Sequence, residues 1–256
     1  MNKFSHILDI EIPRDTKISS ASNSTKKIKK DSIFFGLQGS KIHGSSFAQE
    51  ALNLGASIVV HNDVNLKTKN QNIFYIENLE NKIIDFLNAL YEIDINSNNF
   101  FTFTGTNGKT SAAYLCHQLL SNMGYDSIYI GTLGTQYKNK EFNNSFSSKT
   151  TPDIFELFEI INSLNCGLDS VSICIEISSH ALDQKRLNNI YSFNSASILN
   201  ISNDHLDYHK NISTYIKTKF DIFKINSPVK LINEESNKLR DHKYDLTCVS
   251  NKNNFS

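Results

Sequence analysis

A chain of 256 residues can hold one large domain or two ordinary ones. Its composition is globular, 39% hydrophobic and 20% charged, and 26 basic against 26 acidic residues exclude a general attraction to nucleic acid or an anionic membrane. Cys116, Cys166, Cys174 and Cys248 are too widely spaced for a zinc site or a disulfide framework, and the N-terminus carries no apolar signal segment, so a reduced, cytoplasmic protein is expected.

The run Lys26-Lys27-Ile28-Lys29-Lys30 reads as a solvated turn before a strand, with a phosphate contact as the alternative. Ile33–Leu37 is that strand. A helix over Phe47–Leu54, closed by Gly55, leads to strands at 57–60 and 73–76. Apolar residues at Leu79, Ile83, Phe86, Leu87 and Leu90 have helical spacing. The polar stretch Asn96–Asn99 is a linker, so residues 1–96 form a small α/β domain and 97–256 a second one.

The second domain opens with a strand through Phe101 and Phe103 and a helix from Ala112, followed by a strand at 127–131. Residues 135–149 read as loop. Thr151 is placed as an N-cap with Pro152 in the first helical turn, for a helix to about Leu164. Strands follow at 171–177, 195–199 and 230–232, with a helix from a Ser213 cap to Phe223. Strands alternating with helices imply an α/β fold with a parallel sheet covered on both faces and chemistry at the C-terminal strand ends.

Three stretches at those ends carry chemistry. Gly105-Thr106-Asn107-Gly108-Lys109-Thr110-Ser111 lies between strand and helix. Its glycines permit tight turns, its N–H groups can meet phosphate oxygens, Lys109 supplies a point charge and Thr110 a hydroxyl for Mg²⁺. Phe103 stands where the general phosphate-loop pattern has glycine. Glu176 ends an apolar strand, where it either faces solvent at an edge or needs a cation partner. The segment 200–209 holds Asp204, His205, Asp207 and His209, a metal-binding loop or merely a polar one. A helix lysine such as Lys219 is ordinarily solvated.

Together, Gly105–Thr110, Thr150-Thr151-Pro152, Glu176–Leu182, Asp204-His205-Leu206-Asp207-Tyr208-His209 and Lys219–Phe223 resemble, in content and order, the motifs of the Mur ligase family, MurE type. The resemblance implies an incomplete P-loop-type parallel-sheet ATP-binding domain behind a UDP-sugar-binding one. It implies an ATP-dependent ligase of peptidoglycan synthesis acting on UDP-MurNAc-L-Ala-D-Glu and a diamino acid through an acyl phosphate. Lys109, His205 and a Lys219 carbamylated by CO₂ would be catalytic, and Thr110, Glu176, His205 and Lys219 would hold two Mg²⁺ ions. Asn23, Thr25, Ser40, Lys41 and Ile42 would meet the uridine; Thr150, Thr151, Ser178, Gln184 and Arg186 would meet the sugar-peptide. Thr25-Lys26 stands where Ser-Arg is usual, and His43 where aspartate is expected. A monomer is expected, as is the lack of a C-terminal amino-acid-binding domain, which makes the chain a fragment of such a ligase. A folylpolyglutamate or cyanophycin synthetase relative and a non-catalytic binding remnant are the alternative readings.

Overall fold

Two compact units divide the chain in a computed structural model that describes residues 2–39, 41–138, 140–142, 150–164, 170–239 and 246–249. The first unit comprises residues 1–95 together with 155–162. It contains α1 (Ser5–Leu8), β1 (Ser20–Ser22), β2 (Ser32–Gly36), α2 (Ala48–Asn53), β3 (Ala56–His61), β4 (Ile73–Tyr75) and α3 (Leu79–Tyr91). The four strands run parallel in the order β1-β2-β3-β4. Short β-branched and aromatic runs such as Ser-Ile-Phe-Phe-Gly favour strand, and the parallel sheet is apolar on both sides. Phe34 and Val59 pack against Ala48 and Ala51 of α2. Leu79, Ile83, Phe86 and Leu87 form the buried stripe of α3, as their spacing requires.

The basic run before β2 is largely solvated, with Lys26, Lys29 and Lys30 exposed, but two of its lysines also pair with carboxylates. Lys27 forms an ion pair with Glu156, which is only 2% exposed, and Lys29 pairs with Glu159 at 3.1 Å. A buried carboxylate demands such a partner.

The second unit, residues 96–154 and 163–256, is built on β5 (Asn99–Thr104), α4 (Lys109–Asn122), β6 (Ser127–Gly131), β7 (Gly134–Tyr137), β8 (Lys140–Phe142), β9 (Ser172–Glu176) and α6 (Ser179–Asp183), while the body of α5 (Ile154–Ser163), which follows β8 in the chain, belongs to the first unit. The second unit continues with β10 (Ser195–Ile198), α7 (Leu206–His209), α8 (Ile212–Phe220), β11 (Val229–Asn233), α9 (Glu234–Asn237) and β12 (Thr247–Val249). The sheet order is β12-β11-β10-β5-β9-β6-β7-β8. β5 therefore lies between β9 and β10, with Phe103 opposite Glu176 and Thr104 opposite Ile198. This register brings the ends of three strands to one level, where loops of a parallel sheet converge.

Three expectations need correction. Residues 135–137 and 140–142 are not loop: β7 and β8 extend the sheet as an antiparallel arm, turned at Gly134 with φ +91°. Their polar sequences lack the apolar alternation that marks a strand, yet β7 is paired on both sides and its Thr135, Gln136 and Tyr137 are buried. Thr151 does not cap α5, which begins at Ile154; its hydroxyl is committed to the end of β9 instead. The cap of α8 is Asn211, whose side chain accepts from Thr214 N, and Ser213 lies inside the first turn.

Candidate nucleotide and metal site

The loop 105–108 leaves β5 and enters α4 through Gly108, whose φ of +81° suits glycine. Gly105 is also closely packed: a Cβ there would lie 3.2 Å from Asn107 O and from Leu199 Cβ, so its neighbours would have to give way by a few tenths of an ångström. The segment after β10 clamps the loop. Thr106 N donates to Asn200 O (2.9 Å), Asn107 N donates to Asn200 Oδ1 (2.8 Å), and Asn200 Nδ2 returns a bond to Asn107 O (2.9 Å). Thr106 Oγ1 exchanges bonds with Ser202 and lies 3.1 Å from the Tyr215 hydroxyl. The N–H groups of Thr106 and Asn107 are thus committed to Asn200. Donors for a phosphate come from the start of α4, where a helix leaves its first N–H groups without intrahelical acceptors and presents a positive dipole end.

Two lysines converge here. Lys109 Nζ donates to Gly105 O and Thr106 O, both at 2.9 Å, and Lys219 Nζ donates to the same Gly105 O at 2.8 Å and to Thr104 Oγ1 at 3.1 Å. Lys219 is 1% exposed, so the expectation for an ordinary helix lysine does not hold. Tyr215, one turn earlier, is also buried, and the Lys219 ammonium stands 5.2 Å from its ring centroid. Burial, with Lys109 nearby, pushes the Lys219 ammonium down to about 7. Lys109 is lowered by burial too, against the opposing pull of Glu176 and Asp204.

Glu176 is fully buried, and neutral donors satisfy it. Its Oε1 accepts from the Tyr129 hydroxyl (2.5 Å) and Thr132 N (2.8 Å). Its Oε2 accepts from Thr110 Oγ1 (2.9 Å) and Thr132 Oγ1 (3.2 Å). Thr110 and Glu176 therefore stand together, as the sequence led one to expect. Tyr129 and Thr132 did not stand out in the sequence. The available signal was a tyrosine in an otherwise apolar strand, whose buried hydroxyl must find a partner.

His205 lies apart from that pair, in a cluster with His180, Tyr208, His209 and Tyr215. Its ring is 5.2 Å from that of His180, and its Nε2 is 3.5 Å from Asp204 Oδ2. His180 and His209 are held below the ordinary imidazole range chiefly by burial, reinforced at His180 by the neighbouring histidines and opposed at His209 by Asp183. Among the described residues, no three histidine, cysteine or carboxylate side chains form a preassembled metal centre. One carboxylate beside one threonine hydroxyl matches a magnesium ion that takes its remaining ligands from phosphate and water.

The residues expected to meet a sugar-peptide form a connected network. Thr151 Oγ1 donates to Glu176 O and accepts from Ser178 N, both at 2.9 Å. Arg186 donates to Thr151 O (2.7 Å) and twice to Gln184 Oε1. Thr132 Oγ1 donates to Thr150 Oγ1 at 3.4 Å. Ser178 also caps α6 through Ala181 N. In the first unit, Asn23 is exposed after β1, Thr25 starts a 3₁₀ turn, and Lys41 and Ile42 occupy an exposed turn; Ser40 lies outside the described residues. His43 caps the 3₁₀ turn that follows it, its Nδ1 accepting from Ser45 N at 3.1 Å.

Comparison with known proteins gives this arrangement a context. A model described as the Mur ligase middle domain matches residues 103–255, and one described as the Mur ligase family catalytic domain matches 17–94. The UDP-N-acetylmuramoyl-L-alanyl-D-glutamate–2,6-diaminopimelate ligase 2 of Clostridium acetobutylicum is 31% identical, over 86% of this chain and 45% of its own. The corresponding ligase of Wigglesworthia glossinidia brevipalpis is 35% identical, over 85% and 44%. The chain spans about half the length of the curated relatives it matches. A solved structure of a ligase with the same substrate name shares the fold at a TM-score of 0.71 and 23% identity, over 99% of this chain and 53% of that one. MurF ligase from Thermotoga maritima, solved with ADP, is more distant (TM-score 0.56, 17% identity, 93% of this chain and 51% of that one).

Proposed function

Because the chain belongs to the Mur ligase family, we propose that it carries the UDP-sugar-binding and ATP-binding parts of a ligase that joins a diamino acid to UDP-MurNAc-L-Ala-D-Glu. The observation that carries this reading is the junction of Thr110 with buried Glu176 at the end of a loop bearing Lys109. In this reading, residues 1–96 bind the UDP end through Asn23, Thr25, Ser40, Lys41 and Ile42, and 97–256 bind ATP. Thr150, Thr151, Ser178, Gln184 and Arg186 orient the sugar-peptide. The planar fork of Arg186, already aligned by Gln184, suits a carboxylate or pyrophosphate.

In the proposed reaction, the glutamate γ-carboxylate takes the terminal phosphoryl group of ATP, and the incoming amine then displaces phosphate to form the amide. Lys109 and the N–H groups at the start of α4 hold the phosphates in line. Thr110 and Glu176 would hold one magnesium ion, with His205 and Lys219 assigned to a second, and the metal would supply charge neutralisation on the phosphates. Lys219 fits a carbamate: it is buried, its ammonium faces neutral oxygens, and lowering to about 7 provides a neutral amine for CO₂. The carbamate would replace a second positive charge beside Lys109 with a negative one. We expect catalysis in the cytoplasm by a monomer.

Incubating the chain with UDP-MurNAc-L-Ala-D-Glu, [γ-³²P]ATP, Mg²⁺ and either diaminopimelate or lysine tests the reading. Release of phosphate that depends on the UDP-sugar dipeptide supports it. Nucleotide binding with no dipeptide-dependent phosphate release, even when the chain is joined to the remainder of a relative's sequence, would reject it.

A further inference from the structure

The two carboxylate oxygens of Glu176 have unlike partners. Oε1 is enclosed by the hairpin from β6 to β7. It accepts from the Tyr129 hydroxyl at 2.5 Å and from Thr132 N at 2.8 Å, and Gly131 passes so close that a Cβ there would lie 2.0 Å away. Neither donor is free to turn aside. Thr132 N is fixed in the backbone, and the Tyr129 oxygen already accepts from Leu133 N at 3.2 Å, which directs its proton to Glu176. The Tyr129 ring is fully buried and meets Tyr114 of α4 edge-on, with centroids 5.5 Å apart. Tyr114 lies one turn beyond Thr110, so one face of α4 carries both. Oε2, by contrast, meets side-chain hydroxyls, Thr110 Oγ1 at 2.9 Å and Thr132 Oγ1 at 3.2 Å. A hydroxyl proton rotates, and that of Thr132 has a second acceptor in Thr150 Oγ1 at 3.4 Å. Oε2 can therefore be yielded to a cation, whereas Oε1 stays engaged.

We propose, resting on the reading of Thr110 and Glu176 as a magnesium site beside nucleotide phosphates, that Tyr129 is a positioning residue that sets cation specificity. Its hydroxyl keeps Oε1 occupied, so Glu176 offers a cation one oxygen rather than two. Magnesium is small, demands near-octahedral order and keeps several waters, so one carboxylate oxygen suits it. Calcium takes roughly six to eight oxygens and often uses both oxygens of a carboxylate. A pinned Oε1 withholds the second of them. Tyr129→Phe removes the donor while keeping the buried ring and its contact with Tyr114, and so opens Oε1 to the larger ion.

The test is calorimetric titration of β,γ-methylene-ATP into the full chain and into Tyr129→Phe, each in magnesium and again in calcium. The unsubstituted chain should bind more tightly with magnesium. Tyr129→Phe should shrink the ratio of the two affinities by roughly tenfold, the worth of one hydrogen bond to a charged group. A merely structural role would weaken binding with both cations alike. An unchanged ratio, or loss of binding with both, would therefore overturn the proposal while leaving the nucleotide site standing in the unsubstituted chain. Absence of metal-dependent binding in the unsubstituted chain would reject the site itself and the proposal with it. Circular dichroism shows whether Tyr129→Phe is folded. If it is not, the unsubstituted chain decides: tighter binding with magnesium supports the proposal, and binding equal or tighter with calcium overturns it.

Discussion

Lys219 shows how a single side chain can be miscast by its local sequence. On α8 it occupies an unremarkable helical position, yet it is fully enclosed and faces a threonine hydroxyl and a backbone carbonyl. A folded value of about 7 against an ordinary 10.5 has a definite sign. Between those values the unfolded chain binds more protons than the folded one, so stability rises with pH across that window. Below about pH 7 both states are protonated, and the full cost of burying the ammonium remains. In CO₂-free buffer, the stability of the protein relative to Lys219→Met should therefore improve between pH 7 and 8.5, by at most about 1.4 kcal/mol per pH unit. Urea titrations at the two pH values measure it, and a pH-independent difference would remove the burial argument.

At the scale of elements, the site depends on where strands end. β5, β9 and β10 are neighbours in register, so the phosphate loop, Glu176 and Asn200 arrive together. β6 adds a constraint through Gly131. A Cβ there would lie 2.0 Å from Glu176 Oε1 and 2.5 Å from the Tyr129 hydroxyl. Gly131→Ala should therefore displace the carboxylate, destabilise the fold by about 1–3 kcal/mol in urea titration and weaken Mg²⁺-dependent nucleotide binding. Unaltered stability and binding would mean that the carboxylate position is not restrictive. The sequence made most of this framework legible, because apolar strands, helical spacing and the glycine-rich loop each follow local rules. It concealed β7 and β8, whose polar sequences resemble loop, the start of α5, because long-range bonds to the end of β9 claim Thr151, and the cap of α8, where Asn211 rather than Ser213 accepts from Thr214 N.

For the molecule as a whole, a zero formal charge and separate compact units leave recognition to specific residues rather than to a general field. The motif string in the sequence led to the family, and the matched models span both units. The geometry adds what the string could not: Glu176 is held by Tyr129 and Thr132, the phosphate loop by Asn200, and His205 within an imidazole and phenol cluster. These pairings are hidden in sequence because the partners lie far apart along the chain: Tyr129 and Thr132 at β6 meet Glu176 on β9, and Asn200 after β10 meets the loop after β5. No helix among the described residues is long and apolar enough to cross a membrane.

Calorimetric titration of Mg·ATP into the full chain and into Lys109→Ala shows whether the loop from Gly105 to Thr110 holds ATP with magnesium. A single site is expected in the unsubstituted chain, weakened at least about tenfold by Lys109→Ala, a change of roughly 1.4 kcal/mol. Binding should also weaken when EDTA removes the metal. Equal affinity in the two proteins, or binding indifferent to magnesium, would contradict that role of the loop.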